Sequence, residues 1–367
     1  MSYITSIGTA VPDNRIAQTT IANFMVKAMN LQGDDARKLQ ALYRATGIDT
    51  RHSVLADYGK KSEYEFFPDN ELLEPFPSTQ QRMVLYKKHA LDLSLAAIKK
   101  CLDKISLIDQ SAVTHLITVS CTGLYAPGLD IDLVKTLGLN TCINRTCINF
   151  MGCYAAFNAL KLADSFCENN KNAKVLVVCT ELCSIHFQKE NTEDNLLANA
   201  LFADGSAALL VEAQPRTGLN LKPVSFHCDL STDGEQDMAW TVGDFGFEMK
   251  LSTYVPEVIR NGIKKLTASL LEKISMQITN VDYFAIHPGG KKILEVIEQE
   301  LGLSKEQNLN AYQVLRKFGN MSSPTVLFVL NRIVDDLTEA DDKKNILSFA
   351  FGPGLTMESM LLQIEHH

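Results

Sequence analysis

The 367-residue chain reads as an α/β protein in layers, assembled from two similar halves. Three observations predict this. Short apolar runs rich in β-branched residues suit strands covered on both faces: HLITVSC (115–121), KVLVVCTEL (174–182), DYFAIHP (282–288) and NILSFAFGPG (345–354). Between them lie stretches 81–104, 256–274 and 321–337, whose apolar residues recur at three- and four-residue spacing, as along one face of a helix. Finally, one pattern occurs twice. NFMGCYAAFNALKLA leads to KVLVVCTEL and LFADGSAALLVEA, and KFGNMSSPTVLFVL leads to NILSFAFGPGLTMESMLLQI. Each is a turn carrying Gly, then an apolar helix, a strand, a turn and a strand. A duplicated half-fold of this kind, divided into 1–220 and 221–367, places both helix starts near an internal pseudo-twofold, facing one site.

Composition narrows the function. With 46% hydrophobic and 21% charged residues, the chain has the balance of an ordinary globular protein with ample length for a core. A net charge of −8 argues against nucleic acid as a partner, which needs a basic footprint. The nine cysteines show no CxxC pair or Cys/His cluster with zinc-ligand spacing, so they read as reduced thiols of a cytoplasmic protein with no metal. No GxGxxG marks a nicotinamide or flavin site. Apolar runs fall short of the roughly 18 residues a membrane helix needs, and MSYITSIGTAVPDN lacks the regions of a signal peptide.

Three residues are candidates for chemistry. Cys153 follows Gly152 and opens the small-residue helix after the run CINRTCINF; it is either a nucleophile at the positive end of a helix or a small core cysteine. His287 ends an apolar strand before Pro288, Gly289 and Gly290, where α/β folds place reactive side chains, though taken alone a core or turn histidine with satisfied hydrogen bonds is the better reading. Asn320, after Gly319, reads alone as a helix cap. Together they provide a thiol, a base and an amide donor.

With the FGPG turn (Phe351 to Gly354), these motifs resemble type III polyketide synthases of the chalcone-synthase type, which belong to the thiolase-fold condensing enzymes. MGCYAAF, LFADGSAALL, AIHPGG, FGNMSSPTVLFVL and FGPGLTMES carry the resemblance, which runs from SIGTAVP (6–12) to the last strand. The ketoacyl-ACP synthase III type shares the Cys-His-Asn set, but its histidine typically precedes Gln-Ala-Asn rather than Pro-Gly-Gly. A non-catalytic relative of the same fold is the third alternative, and it would be expected to lose one of the three residues.

The resemblance implies a duplicated thiolase-like αβαβα fold, a homodimer, malonyl-CoA and an acyl-CoA starter as substrates, and no further cofactor. It implies that Cys153 takes the starter as a thioester, with His287 as its imidazolium partner, and that His287 and Asn320 hold the malonyl thioester carbonyl through decarboxylation. Phe202 and Phe247 match the family's two gatekeeping phenylalanines, Ser322 is a retained cavity residue, and Gly352, Pro353 and Gly354 would shape the cavity wall. Lys38 is kept of three basic positions expected to bind CoA; Ala41 and Ala45 fill the others, leaving Arg44 and Arg51 as substitutes. Cys121 and His186 occupy threonine positions and Met238 a glycine position of the plant enzymes, so a coumaroyl starter is not expected. The product classes left open are alkylpyrones or alkylresorcinols from a fatty-acyl starter, and a small aromatic from malonyl-CoA alone.

Overall fold

A computed structural model describes residues 1–105, 109–231 and 238–367. In chain order its elements begin β1 (Tyr3–Ala10), β2 (Asn14–Ala17), α1 (Gln18–Ala28), α2 (Gly33–Ala45), β3 (Thr50–Ser53), α3 (Thr79–Asp103), β4 (His115–Ser120) and α4 (Leu129–Leu137). Next come β5 (Asn144–Asn149), α5 (Ala155–Asn169), β6 (Lys174–Leu182), α6 (Glu193–Leu201), β7 (Asp204–Glu212), β8 (Leu219–Leu230), β9 (Met238–Gly243) and β10 (Gly246–Leu251). The chain closes with α7 (Val255–Glu272), β11 (Tyr283–Ile286), α8 (Lys291–Leu301), α9 (Leu309–Phe318), α10 (Thr325–Asp336), β12 (Asn345–Gly352) and β13 (Thr356–His366).

Nine strands form one sheet in the order β11-β12-β13-β8-β1-β7-β6-β4-β5. The duplication is explicit in the pairing. β4 runs parallel to β6, β6 antiparallel to β7, and β7 antiparallel to β1. The same three relations join β11 to β12, β12 to β13 and β13 to β8. β1 and β8 meet at Ile4 and Leu221, so the sheet is continuous and the two halves share it, with β8 beginning at Leu219.

The layers follow from side-chain alternation. In β6, Val175, Val177 and Cys179 point to one core, and Leu176 and Val178 to the other; β7 repeats this with Ala207, Leu209 and Val211 against Ala208 and Leu210. Strands buried on both faces need an apolar residue at every position, which is what these runs supply. α3 covers one face of the first half-sheet, α7 lies on β8 and β13, and α5 and α10 run between the halves, each touching strands of both. This is the layered α/β arrangement expected. α3 starts in a capping box in which Ser78 accepts from the Gln81 amide. α10 begins at Thr325 rather than residue 321, because Ser322 holds a left-handed φ of 58° and Pro324 stands just before the first turn.

Candidate active site

β5 delivers the chain to a tight turn, Gly152–Tyr154, that leads directly into α5. Gly152 takes φ 75°, and a Cβ there would overlap Pro353. A Cβ on Gly352 would lie 2.6 Å from Tyr154 Cδ1 and 3.2 Å from the Cys153 nitrogen. The cysteine turn and the Gly-Pro-Gly turn therefore interlock, and only glycine permits the approach. Gly354, at φ 71°, completes that turn.

His287 lies just past β11, its amide donating to Phe349 O of β12 at 2.9 Å. Its ring is 1% exposed, and neither Nδ1 nor Nε2 has a hydrogen-bond partner. A core histidine would have both nitrogens satisfied; a buried imidazole with two orphaned nitrogens calls for an explanation. Asn320 is clamped by main chain, donating to Leu201 O (2.9 Å) and accepting from Ala203 N (2.8 Å), beside Phe202. Its side-chain Oδ1 accepts from the Ser322 amide (2.8 Å), and its Nδ2 donates to Gly289 O (3.2 Å). The Oδ1 thus accepts as a capping oxygen does, and the amide is oriented with its NH2 group as the donor end. Ser322 Oγ accepts from Cys153 Sγ at 3.7 Å.

All three candidates line one cavity, with Cys121, Phe202, Met238, Ser322 and Pro353. Its open volume is only ≈ 30 Å³, little more than ordered water needs. Burial governs the charges. It pushes the Cys153 thiol up to about 12, with nearby Glu181 adding to the effect and Ser322 and Asn320 opposing it. It pushes His287 down to about 3. Burial therefore opposes a thiolate at this position. Passing the thiol proton to the ring creates both charges at once, so each offsets the other's desolvation cost.

Other candidates lie farther out. Phe247 and His186 stack at 4.3 Å and 9° and line a second cavity, which Phe202 borders as well. His186 Nε2 bonds Thr122 O (2.8 Å) and its Nδ1 accepts from the Phe247 amide (2.9 Å), which fixes a neutral ring that burial holds down to about 3. It anchors Phe247, and neither residue lines the Cys153 cavity. Arg51 is buried, donating to Gln18 Oε1, Asn199 O and Phe202 O, and lines that second cavity. Arg44 lines a separate groove with Gln18 and Asp49, and Lys38 is 78% exposed and paired with Asp35 at 3.4 Å. The structure brings none of these three cations to the cavity of Cys153.

Several residues without a motif complete the site. Glu181, wholly buried, accepts from Cys121 N, Thr122 Oγ1 and Ser323 Oγ at 2.6–2.8 Å, tying the end of β4 to the loop before α10. Its position as the lone acid in KVLVVCTEL was the available signal. Trp240, the chain's one tryptophan, donates to Cys121 O at 2.6 Å and joins Met249 and Cys183 in the wall between the two cavities. Among the described residues no cluster of three His, Cys, Asp or Glu has the form of a metal site, and no helix is long and apolar enough to cross a membrane.

Fold and site together define a thiol-dependent condensing enzyme built on a duplicated sheet. The family models for the N-terminal and C-terminal domains of chalcone and stilbene synthases match residues 1–215 and 227–365, and the chain belongs to this family of type III polyketide synthases. It is 32% identical over 369 residues to the alpha-pyrone synthesis polyketide synthase-like Pks18 of Mycobacterium tuberculosis, covering 99% of this chain and 91% of the relative. It is 31% identical over 379 residues to probable polyketide synthase 1 of Dictyostelium discoideum, covering 99% of this chain but only 11% of that much longer protein. The C-terminal type III polyketide synthase domain of Steely1, a type I/III hybrid from Dictyostelium, superposes with TM-score 0.90 at 30% identity, over 99% of both chains. PKS-I of the brown alga Ectocarpus siliculosus does so at 0.90 and 29%, over 99% of this chain and 98% of that one. These matches speak for a polyketide synthase over the ketoacyl-ACP synthase alternative.

Proposed function

We propose that the enzyme loads an acyl group from a CoA thioester onto Cys153 and extends it with malonyl-CoA. The observation that carries the reading is His287, an orphaned buried imidazole sharing a closed cavity with a thiol and an oriented amide donor. His287 takes the Cys153 proton as sulfur attacks the acyl carbonyl, and hands it to the departing CoA thiolate. His287 and the Asn320 NH2 then hold the malonyl thioester oxygen. As the carboxylate leaves as carbon dioxide, its bonding pair becomes an enolate whose oxygen those donors stabilise; one such donor is worth about 10²–10³ in rate. The enolate carbon attacks the Cys153 thioester, a carbon–carbon bond forms and the carbon–sulfur bond breaks. The lengthened chain, now on CoA, is reloaded.

Ring closure to a pyrone is the product reading the likeness to the mycobacterial relative supports. Met238 and the Trp240 and Met249 side chains crowd the cavity, which supports a starter other than coumaroyl. The substrates are CoA thioesters and no other cofactor takes part. We further infer a cytoplasmic homodimer.

Incubation with malonyl-CoA alone, and with acyl-CoA starters of graded length, tests this by mass spectrometry of products and free CoA, with Cys153→Ala as control. Pyrone masses dependent on Cys153 are expected. Silence of the intact enzyme under every starter would sink the reading.

A further inference from the structure

Arg51, on the short strand β3, is 5% exposed, and the acceptors of its guanidinium are neutral oxygens. Nε donates to Gln18 Oε1 at 2.9 Å, and Nη1 donates to Asn199 O at 2.8 Å and to Phe202 O at 2.6 Å. Burying a cation among uncharged partners is costly, so what those donors hold matters.

One peptide unit links Arg51 to the candidate amide donor. Phe202 O belongs to the peptide that joins Phe202 to Ala203, and the N–H of that same peptide donates to Asn320 O at 2.8 Å. A trans peptide is planar with its C=O and N–H pointing opposite ways, so fixing one end fixes the direction of the other. Just before it, Leu201 O accepts from Asn320 N at 2.9 Å, and Gln18 Nε2 donates to Ala200 O at 2.8 Å. The arginine stem acts from a second side. A Cβ on Gly319 would lie 3.0 Å from both Cγ and Cδ of Arg51 and 2.9 Å from Leu201 O. Gly319, at φ 74°, leads directly into Asn320, so the stem packs against the backbone that carries the amide.

We propose that Arg51 is a positioning residue for decarboxylation, which keeps the Asn320 amide aimed at the enolate oxygen by fixing the Phe202–Ala203 peptide and the Gly319 backbone. The role rests on the function proposed above and differs from the CoA contact that the resemblance offers Arg51. Three of the guanidinium's N–H groups already serve Gln18, Asn199 and Phe202, and Nη2 is buried, which leaves no donor for a phosphate outside. Arginine suits the task because its planar fork aims its donors in fixed directions, whereas a lysine ammonium turns freely.

The test follows carbon dioxide release from malonyl-CoA, loading of Cys153 by an acyl-CoA starter and calorimetric binding of free CoA in the full-length enzyme. Arg51→Lys, which keeps the charge, should lower kcat for decarboxylation about 10–100-fold, short of the loss expected for removing the donor itself. KM for malonyl-CoA, CoA affinity and Cys153 loading should each change less than about threefold. In an Asn320→Ala background the same change should cost less than about twofold more, because the group it positions is gone. Gln18→Ala, a milder change that removes the Nε partner, should repeat the pattern at about 3–10-fold and serves if Arg51→Lys does not fold. Equal losses of loading and decarboxylation overturn the proposal, as do losses that add to those of Asn320→Ala, or weaker CoA binding at unchanged kcat. The side-chain amide resonance of Asn320 in isotope-labelled enzyme, identified by its absence from Asn320→Ala, should shift in Arg51→Lys and in Gln18→Ala. If no enzyme form decarboxylates malonyl-CoA, the polyketide reading falls and that resonance decides: a shift keeps the positioning role, and an unchanged signal overturns it.

Discussion

The two halves of the molecule share four strands with identical pairing, yet they hold their reactive residues by different means. In the first half an extra edge strand, β5, runs into the Cys153 turn, and the backbone of that turn is fixed sterically, Gly152 against Pro353 and Gly352 against Tyr154. In the second half α9 runs into Asn320, and the amide is fixed by hydrogen bonds to Leu201, Ala203, Gly289 and Ser322. The difference suits the chemistry. A nucleophile needs its backbone immobile and its sulfur free, whereas an oxyanion donor needs its own acceptor occupied so that only N–H faces the reaction.

The largest effect that would break this comparison concerns His287. Replacing it with Gln leaves Cys153 with only the burial that pushes its thiol up to about 12. Alkylation of Cys153 by iodoacetamide, followed by peptide mass mapping, should then fall at least about tenfold at neutral pH. Its rate should climb about tenfold per pH unit towards pH 9, because the thiolate fraction rises as pH approaches a raised pKa. Alkylation as fast as in the wild type would remove the ring from the account. A smaller effect sharpens the steric side. Gly152→Ala must place a Cβ at φ 75° against Pro353, and should cost about 2–4 kcal/mol in urea unfolding. Gly138→Ala, at φ 64° with nothing within 4 Å, should cost about 1 kcal/mol. Equal costs would mean that the interlock does not hold the cysteine turn.

Much of this was legible in the sequence because strands buried on both faces must be apolar throughout, and KVLVVCTEL and NILSFAFGPG are. The duplicated turn-helix-strand order likewise survives as equivalent pairings. Cys153, His287, Asn320, Phe202 and Ser322 could be picked out because each lies in a motif at an element's end. What sequence could not reveal was which of two adjoining cavities a side chain enters. His186 and Phe247 line one and Met238 the other, although Phe247 and Met238 stand on the same face of the β9–β10 hairpin, at different positions along it. Nor could spacing place Arg51, whose charge reads as a surface cation but which is buried among carbonyls 148 and 151 positions distant. Glu181 escaped because one acid in an apolar strand has no motif, only partners.

The division of labour between the halves is tested most directly by following carbon dioxide release from malonyl-CoA in Cys153→Ala and in Asn320→Ala. The account predicts that Cys153→Ala forms no extended product yet still decarboxylates malonyl-CoA to acetyl-CoA, because the enolate donors remain. Asn320→Ala should lose about 10²–10³ in decarboxylation while its Cys153 still accepts an acyl group. Decarboxylation lost with Cys153 but kept without Asn320 would contradict the central claim.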